Sequence, residues 1–280
     1  MLGKSGCAGK DSKKSLTPTE LYFLVLSILF HDSGNVFDRK GHESRLEEAY
    51  TFARGNSQSL APEKRLLFQI VRSHCGETSE GSSDTIGLLD PKGSFSGKHV
   101  DCQRVGTVLR LADELAEGPQ RTSLFMQRYQ PFPAGSQVYH DYANIVSSIH
   151  IDAGNERIAI IYDIDIAPET WSNGFDEERL SSLLNFCYHR IVKLDLERKY
   201  NRHYCSLLRP FKKSEFSLNF HYRTKPLDVN LGKITLDDLI LPDPPMPTDL
   251  LKQFDDLNIT NLMPQLKKLA HDLVAPGKHS

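Results

Sequence analysis

The chain has 280 residues, 39% of them hydrophobic and 25% charged, with a formal net charge of −2 at pH 7. That length can bury the core of one large domain or two modest ones, and the near-neutral charge argues against strong nucleic-acid binding by bulk electrostatics. Five scattered cysteines without a CxxC pair give neither a zinc ribbon nor a disulfide framework, which points to a reducing, cytoplasmic setting. No apolar run approaches the roughly 20 residues of a membrane helix, and no signal peptide is read.

Residues 1–16 are rich in Gly, Ser and Lys and read as a flexible lead-in. The stretch GKSGCAGKDS does not match the phosphate-loop pattern. Thr17-Pro18-Thr19-Glu20 is a helix start, with Thr17 as cap, Pro18 in the first turn and Glu20 completing a capping box. From Leu21 to Phe30 every residue except Ser27 is apolar, the pattern of a helix surrounded by others. His31 and Asp32 follow, where core should meet surface, and Gly34 allows the chain to turn away. The dipeptide His-Asp recurs at His140-Asp141 and His271-Asp272, so the setting sets the first copy apart.

Asn35 to Gly41 reads as a loop with His42 at its end. A second helix shows Leu46, Ala49, Tyr50 and Ala53 at helical spacing. A third opens near Pro62-Glu63, carries Leu66, Leu67, Ile70 and Val71, and stops at Ser73-His74-Cys75-Gly76. Residues 77–97 are polar and Gly/Ser-rich, a long loop. Residues 99–116 form the next helix, with Val105, Leu109 and Ala112 inward and Asp113 on the edge of that face.

After Gln130 the pattern changes. Residues 145–151 and 157–166 read as a strand hairpin, residues 176–200 as a long helix and residues 216–222 as a further strand. The long helix places Leu180, Leu183, Leu184, Cys187, Ile191 and Leu194 inward. A proline-rich stretch, 239–247, precedes one or two amphipathic helices over 248–274. The fold class is α+β: a flexible 1–16, a helical domain over 17–128, an α/β extension of antiparallel strands with a long helix over 129–241, and a Pro-rich linker with C-terminal helices over 242–280.

The stretches ILFHDSGN, GHE, IVRSHCG and VLRLADELAE, in this order and spacing, resemble the HD superfamily of metal-dependent phosphohydrolases over about residues 18–125. The resemblance implies that His31, Asp32 and Asp113 bind a divalent metal, with Asp32 bridging a second ion if one is present. His42 and His74 match positions that hold a second metal or meet the phosphate. Asp32, His74 and Arg110 would be the catalytic set, Arg110 either binding phosphate or pairing with Asp113 or Glu114. Lys98 and Arg121 are further phosphate candidates. The metal would be Mn, Mg, Fe, Zn or Ni, polarising a phosphoryl oxygen and making hydroxide available near neutral pH.

One feature departs from the family pattern. The first family ligand is a His upstream of the His-Asp pair, and no His precedes His31 here. Either the natural protein begins earlier or the ligand set is short by one. Two functions follow from the resemblance: hydrolysis of a phosphoester or phosphoanhydride, expected in a nucleotide or other phosphorylated small molecule, or a catalytically degenerate HD-like module that binds a nucleotide or a protein partner. An HD domain followed by an α/β extension is similar to a bacterial subgroup found beside Hsp90-like ATPases, which makes such an ATPase a partner by analogy.

Overall fold

A computed structural model describes residues 15–33, 45–77, 81–121, 135–167, 177–229, 231, 233–237 and 250–274. Residues 1–14 of the lead-in, Gly34, His42 and the proline-rich stretch lie outside them, as does the side chain of Arg121. The chain divides into two compact units, Met1–Glu114 with Tyr200–Arg209, and Leu115–Lys199 with Pro210–Ser280. Among the described residues no helix is long and apolar enough to cross a membrane. Cys75, Cys102, Cys187 and Cys205 are free thiols.

The first unit is helical. Helix α1 (Pro18–Phe30) opens with the expected capping box, Thr17 and Glu20 each bonding the other's backbone N–H. Helices α2 (Leu46–Arg54) and α3 (Ala61–Arg72) follow. Strands β1 (Gly93–Phe95) and β2 (Lys98–Val100) form an antiparallel hairpin, and α4 (Cys102–Leu115) completes the set. Phe23, Phe30, Tyr50, Leu66, Leu67, Ile70, Val105 and Leu109 share one core.

Two expectations change here. Helix α1 is not enclosed: Leu21, Val25, Ile28 and Leu29 are half or more exposed, while Phe23, Ser27 and Phe30 face inward. An apolar composition on all sides is necessary for a central helix but does not supply the neighbours. The segment read as a long loop also has structure. Thr85 and Ile86 are buried, and Ser96 and Gly97 take φ values of 49° and 72° in a two-residue turn that closes the hairpin. His99 and Val100 therefore belong to a strand, and α4 begins at Cys102.

Buried carboxylates fix where the helices start. Glu20 is 0% exposed and accepts the Asp101 N–H at 3.2 Å, with Arg104 Nη1 3.7 Å away. Asp101 in turn accepts the Arg104 N–H at 3.0 Å, capping the first turn of α4. Glu63, in the first turn of α3, accepts from Tyr22 at 2.5 Å, from Tyr50 at 2.8 Å and from Arg54 at 3.0 Å. Burial pushes both carboxyls up, and the bonds they accept outweigh it, leaving both pKa values below the ordinary one. The beginnings of α1, α3 and α4 are thereby tied together.

The second unit is built on a sheet. Helix α5 (Gln137–Ile145), which periodicity did not reveal, leads into β3 (Val146–Asp152). Strand β4 (Arg157–Asp165) pairs with β3 in the expected antiparallel hairpin. Helix α6 (Glu177–Tyr204) then crosses over, so β5 (Lys213–Tyr222) lies parallel to β4. Strands β6 (Lys225–Leu227) and β7 (Ile234–Asp237) both pair with β5 antiparallel, and the sheet is mixed. The stripe Leu180, Leu183, Leu184, Cys187, Ile191 and Leu194 is buried as expected. Helices α7 (Leu250–Gln253) and α8 (Ile259–Val274) end the described chain.

On this sheet Glu215 is paired with Arg157, Lys213 and Lys233. Burial pushes its carboxyl up, but Lys233, Arg157 and Lys213 outweigh this and bring the pKa down to about 2. A carboxyl depressed in the folded state adds stability above its unfolded pKa of 4.5 and loses it as pH falls toward 2. Glu215→Gln is therefore expected to cost about 1–2 kcal/mol at pH 7 and to flatten the loss of stability below pH ~5, read by urea unfolding across pH.

Candidate functional site

Three helix ends deliver the site. Eleven residues separate Glu20 from His31 and Glu63 from His74, and twelve separate Asp101 from Asp113. At about 1.5 Å per residue these are similar climbs of roughly 17–18 Å. Helices that begin at tied starting points and rise equally bring these side chains to one level.

His31 Nε2 lies 3.6 Å from Asp113 Oδ1 and 3.5 Å from Asp32 Oδ2. His74 Nε2 lies 4.0 Å from Asp32 Oδ1, and the two imidazoles meet edge to face with centroids 5.3 Å apart. Each ring is anchored in the same way. His31 Nδ1 donates to Ile28 O at 2.9 Å, and His74 Nδ1 donates to Val71 O at 2.5 Å. A proton held on Nδ1 leaves the Nε2 lone pair facing the carboxylates, the arrangement a metal-binding imidazole needs. The Asp113 carboxylate raises the His31 pKa above its ordinary value, while partial burial works against it.

The donors, two imidazole nitrogens and two carboxylates, suit a borderline or hard divalent ion. An ion about 2.0–2.2 Å from each of two donors spans separations up to roughly 4.4 Å, which covers all three nitrogen–oxygen distances. As they stand, the donors face one another in pairs, and among the described residues no group of three or more is arranged to hold an ion. The side chains of Asp32 and Asp113 are 49% and 27% exposed, so both have room to rotate inward. The chemistry fits an ion, and closure requires that rotation.

The other expected residues fall differently. His42 lies outside the described residues. Arg110 is 9% exposed and points into the first unit: Nη1 donates to Thr85 Oγ1 at 2.7 Å and to Cys75 O at 3.2 Å, and the guanidinium lies 4.7 Å from the Tyr200 ring centroid. Lys98 is exposed on β2. Sequence reasoning gave no role to Asp84, Thr85, Tyr200 or Tyr204, which surround Arg110 and the turn at His74. The last two come from the far end of α6, more than a hundred residues from the turn they meet, and no local pattern marks such a contact.

The helical, His/Asp-bearing first unit defines an HD-type protein. A family model described as HD-CE matches residues 5–179, and the chain belongs to that family. No curated protein and no solved structure matches the chain.

At Gly106, α4 passes close to Ser73, just before His74. A Cβ there would sit 2.6 Å from Ser73 Oγ and 2.7 Å from Leu89 Cδ1. Alanine would gain helix propensity of about 1 kcal/mol, but the crowding costs more. Gly106→Ala is expected to destabilise the chain by about 1–3 kcal/mol, measurable by thermal unfolding.

Proposed function

We propose that this protein is a divalent-metal-dependent phosphohydrolase acting on a phosphoester or phosphoanhydride, with a nucleotide as the expected substrate. The observation that carries the reading is the meeting of His31, Asp32, His74 and Asp113 from three helix ends, with both imidazoles held so that Nε2 faces the carboxylates. His31, Asp32 and Asp113 would hold the ion, with His42 as a further ligand. A bound divalent ion supplies Lewis-acid activation of the phosphoryl group and a water of lowered pKa. The chain's own groups orient and exchange protons. Asp32 lies between His31 and His74 and accepts a proton from the attacking water. His74 would meet the phosphate. Arg110 acts through the turn it holds. The partial exposure of Asp32 leaves the cluster open to a substrate arriving from solvent.

A second reading is favoured by the paired, open state of the donors. In it the chain is an HD-like module without turnover that binds a nucleotide or a protein partner, an Hsp90-like ATPase being the partner suggested by analogy. One experiment separates the two: metal analysis of the purified protein, with hydrolysis assays over a nucleotide panel in Mn²⁺. The hydrolase reading expects bound metal and turnover, with both reduced at least about 100-fold in Asp32→Ala and in Asp113→Ala. Metal-free protein that binds nucleotide or partner without turnover supports the module.

A further inference from the structure

His74 lies in a turn, beyond the last residue of α3, where the helix no longer fixes its backbone. The carbonyls on either side of it are nevertheless held. Thr85 Oγ1 donates to Ser73 O at 2.7 Å, and Arg110 Nη1 donates to Cys75 O at 3.2 Å. The same Arg110 nitrogen donates to Thr85 Oγ1 at 2.7 Å, joining the two restraints. Behind them stand two tyrosines from the last turn of α6, Tyr200 and Tyr204, which belong to the first unit. Tyr200 accepts the Ile86 N–H at 2.9 Å and donates to Asp84 Oδ1 at 2.9 Å. Tyr204 donates to the two Asp84 carboxylate oxygens at 2.7 and 2.8 Å. The Tyr200 ring also packs under the Arg110 guanidinium.

We infer that Tyr200 and Tyr204, acting through Asp84, Thr85 and Arg110, are positioning residues that set the orientation of the His74 imidazole. The inference rests on the reading of His74 as a site residue. It assigns Arg110 the task of fixing the turn. His31 provides a built-in comparison, because its Nδ1 partner is a carbonyl of α1, outside this network.

The test uses the full-length, metal-free chain labelled with ¹⁵N at histidine, at a pH where the imidazoles are neutral. The His74 signals are assigned by their loss in His74→Gln. The variants are Tyr204→Phe, which keeps the ring contact with Tyr200 and removes the bonds to Asp84, and Thr85→Val, which is nearly isosteric. The Nε2–H tautomer of His74 is expected to rise about threefold or more in each, while the tautomer of His31 and the unfolding temperature of Tyr204→Phe stay as they were. A parallel Mn²⁺ titration of the unsubstituted chain tests the hydrolase reading on which the role of His74 rests. Unchanged His74 signals in both variants overturn the inference. So does a common shift of His31 and His74 with a large loss of stability, which marks general loosening. If the unsubstituted chain binds no Mn²⁺, the hydrolase reading fails, and the tautomer measurement still decides the positioning role.

Discussion

Glu20, a carboxylate with no exposed surface, ties together the starts of α1 and α4 in the first unit. A carboxylate with no exposed surface is tolerated only when its acceptor sites are filled. Here they are filled by the backbone of Thr17, which starts α1, and of Asp101, which starts α4. The side chain that caps one helix therefore sets the origin of another, 81 residues on. Glu63 does the same for α3 through Tyr22 and Tyr50. Hydrophobic burial holds these helices together, but it is non-directional. The carboxylates supply the longitudinal register, and the register brings His31, His74 and Asp113 to the same level.

Local signals in the chain revealed the parts of this arrangement that local chemistry determines. The capping box at Thr17 and Glu20, the stripe on α3, the inner face of the long helix and the hairpin of β3 and β4 are all patterns within a few residues. The resemblance carried by ILFHDSGN, IVRSHCG and VLRLADELAE brought together His31, Asp32, His74 and Asp113, which do meet. Interactions across long separations were not legible. Glu20 read as a cap, with nothing to mark its second bond to Asp101. The segment after Glu77 read as a loop because Gly and Ser dominate it, although Thr85 and Ile86 are buried. The parallel pairing of β4 with β5 depends on a 28-residue crossover helix and leaves no mark on either strand.

The exposed face of α1 shows the same limit from the other direction. Composition indicates how apolar a helix is, and neighbours decide which of its faces are covered. Phe23 and Phe30 are buried, whereas Leu21, Val25, Ile28 and Leu29 are not, and nothing in those residue types distinguishes the two sets. Arg110 is a similar case. The charge and spacing that suggest a phosphate ligand equally suit a structural tie, and only its bonds to Thr85 and Cys75 place it.

Because the His31 imidazole is fastened to a carbonyl three residues back on its own helix, α1 works as a graduated screw whose phase sets the direction of that ring. Removing one residue between Glu20 and His31 would turn the imidazole through about 100° and withdraw it by about 1.5 Å, pointing it away from Asp113 while leaving the composition almost unchanged. Substitutions along this helix are thus far easier for the fold to absorb than any change in its length.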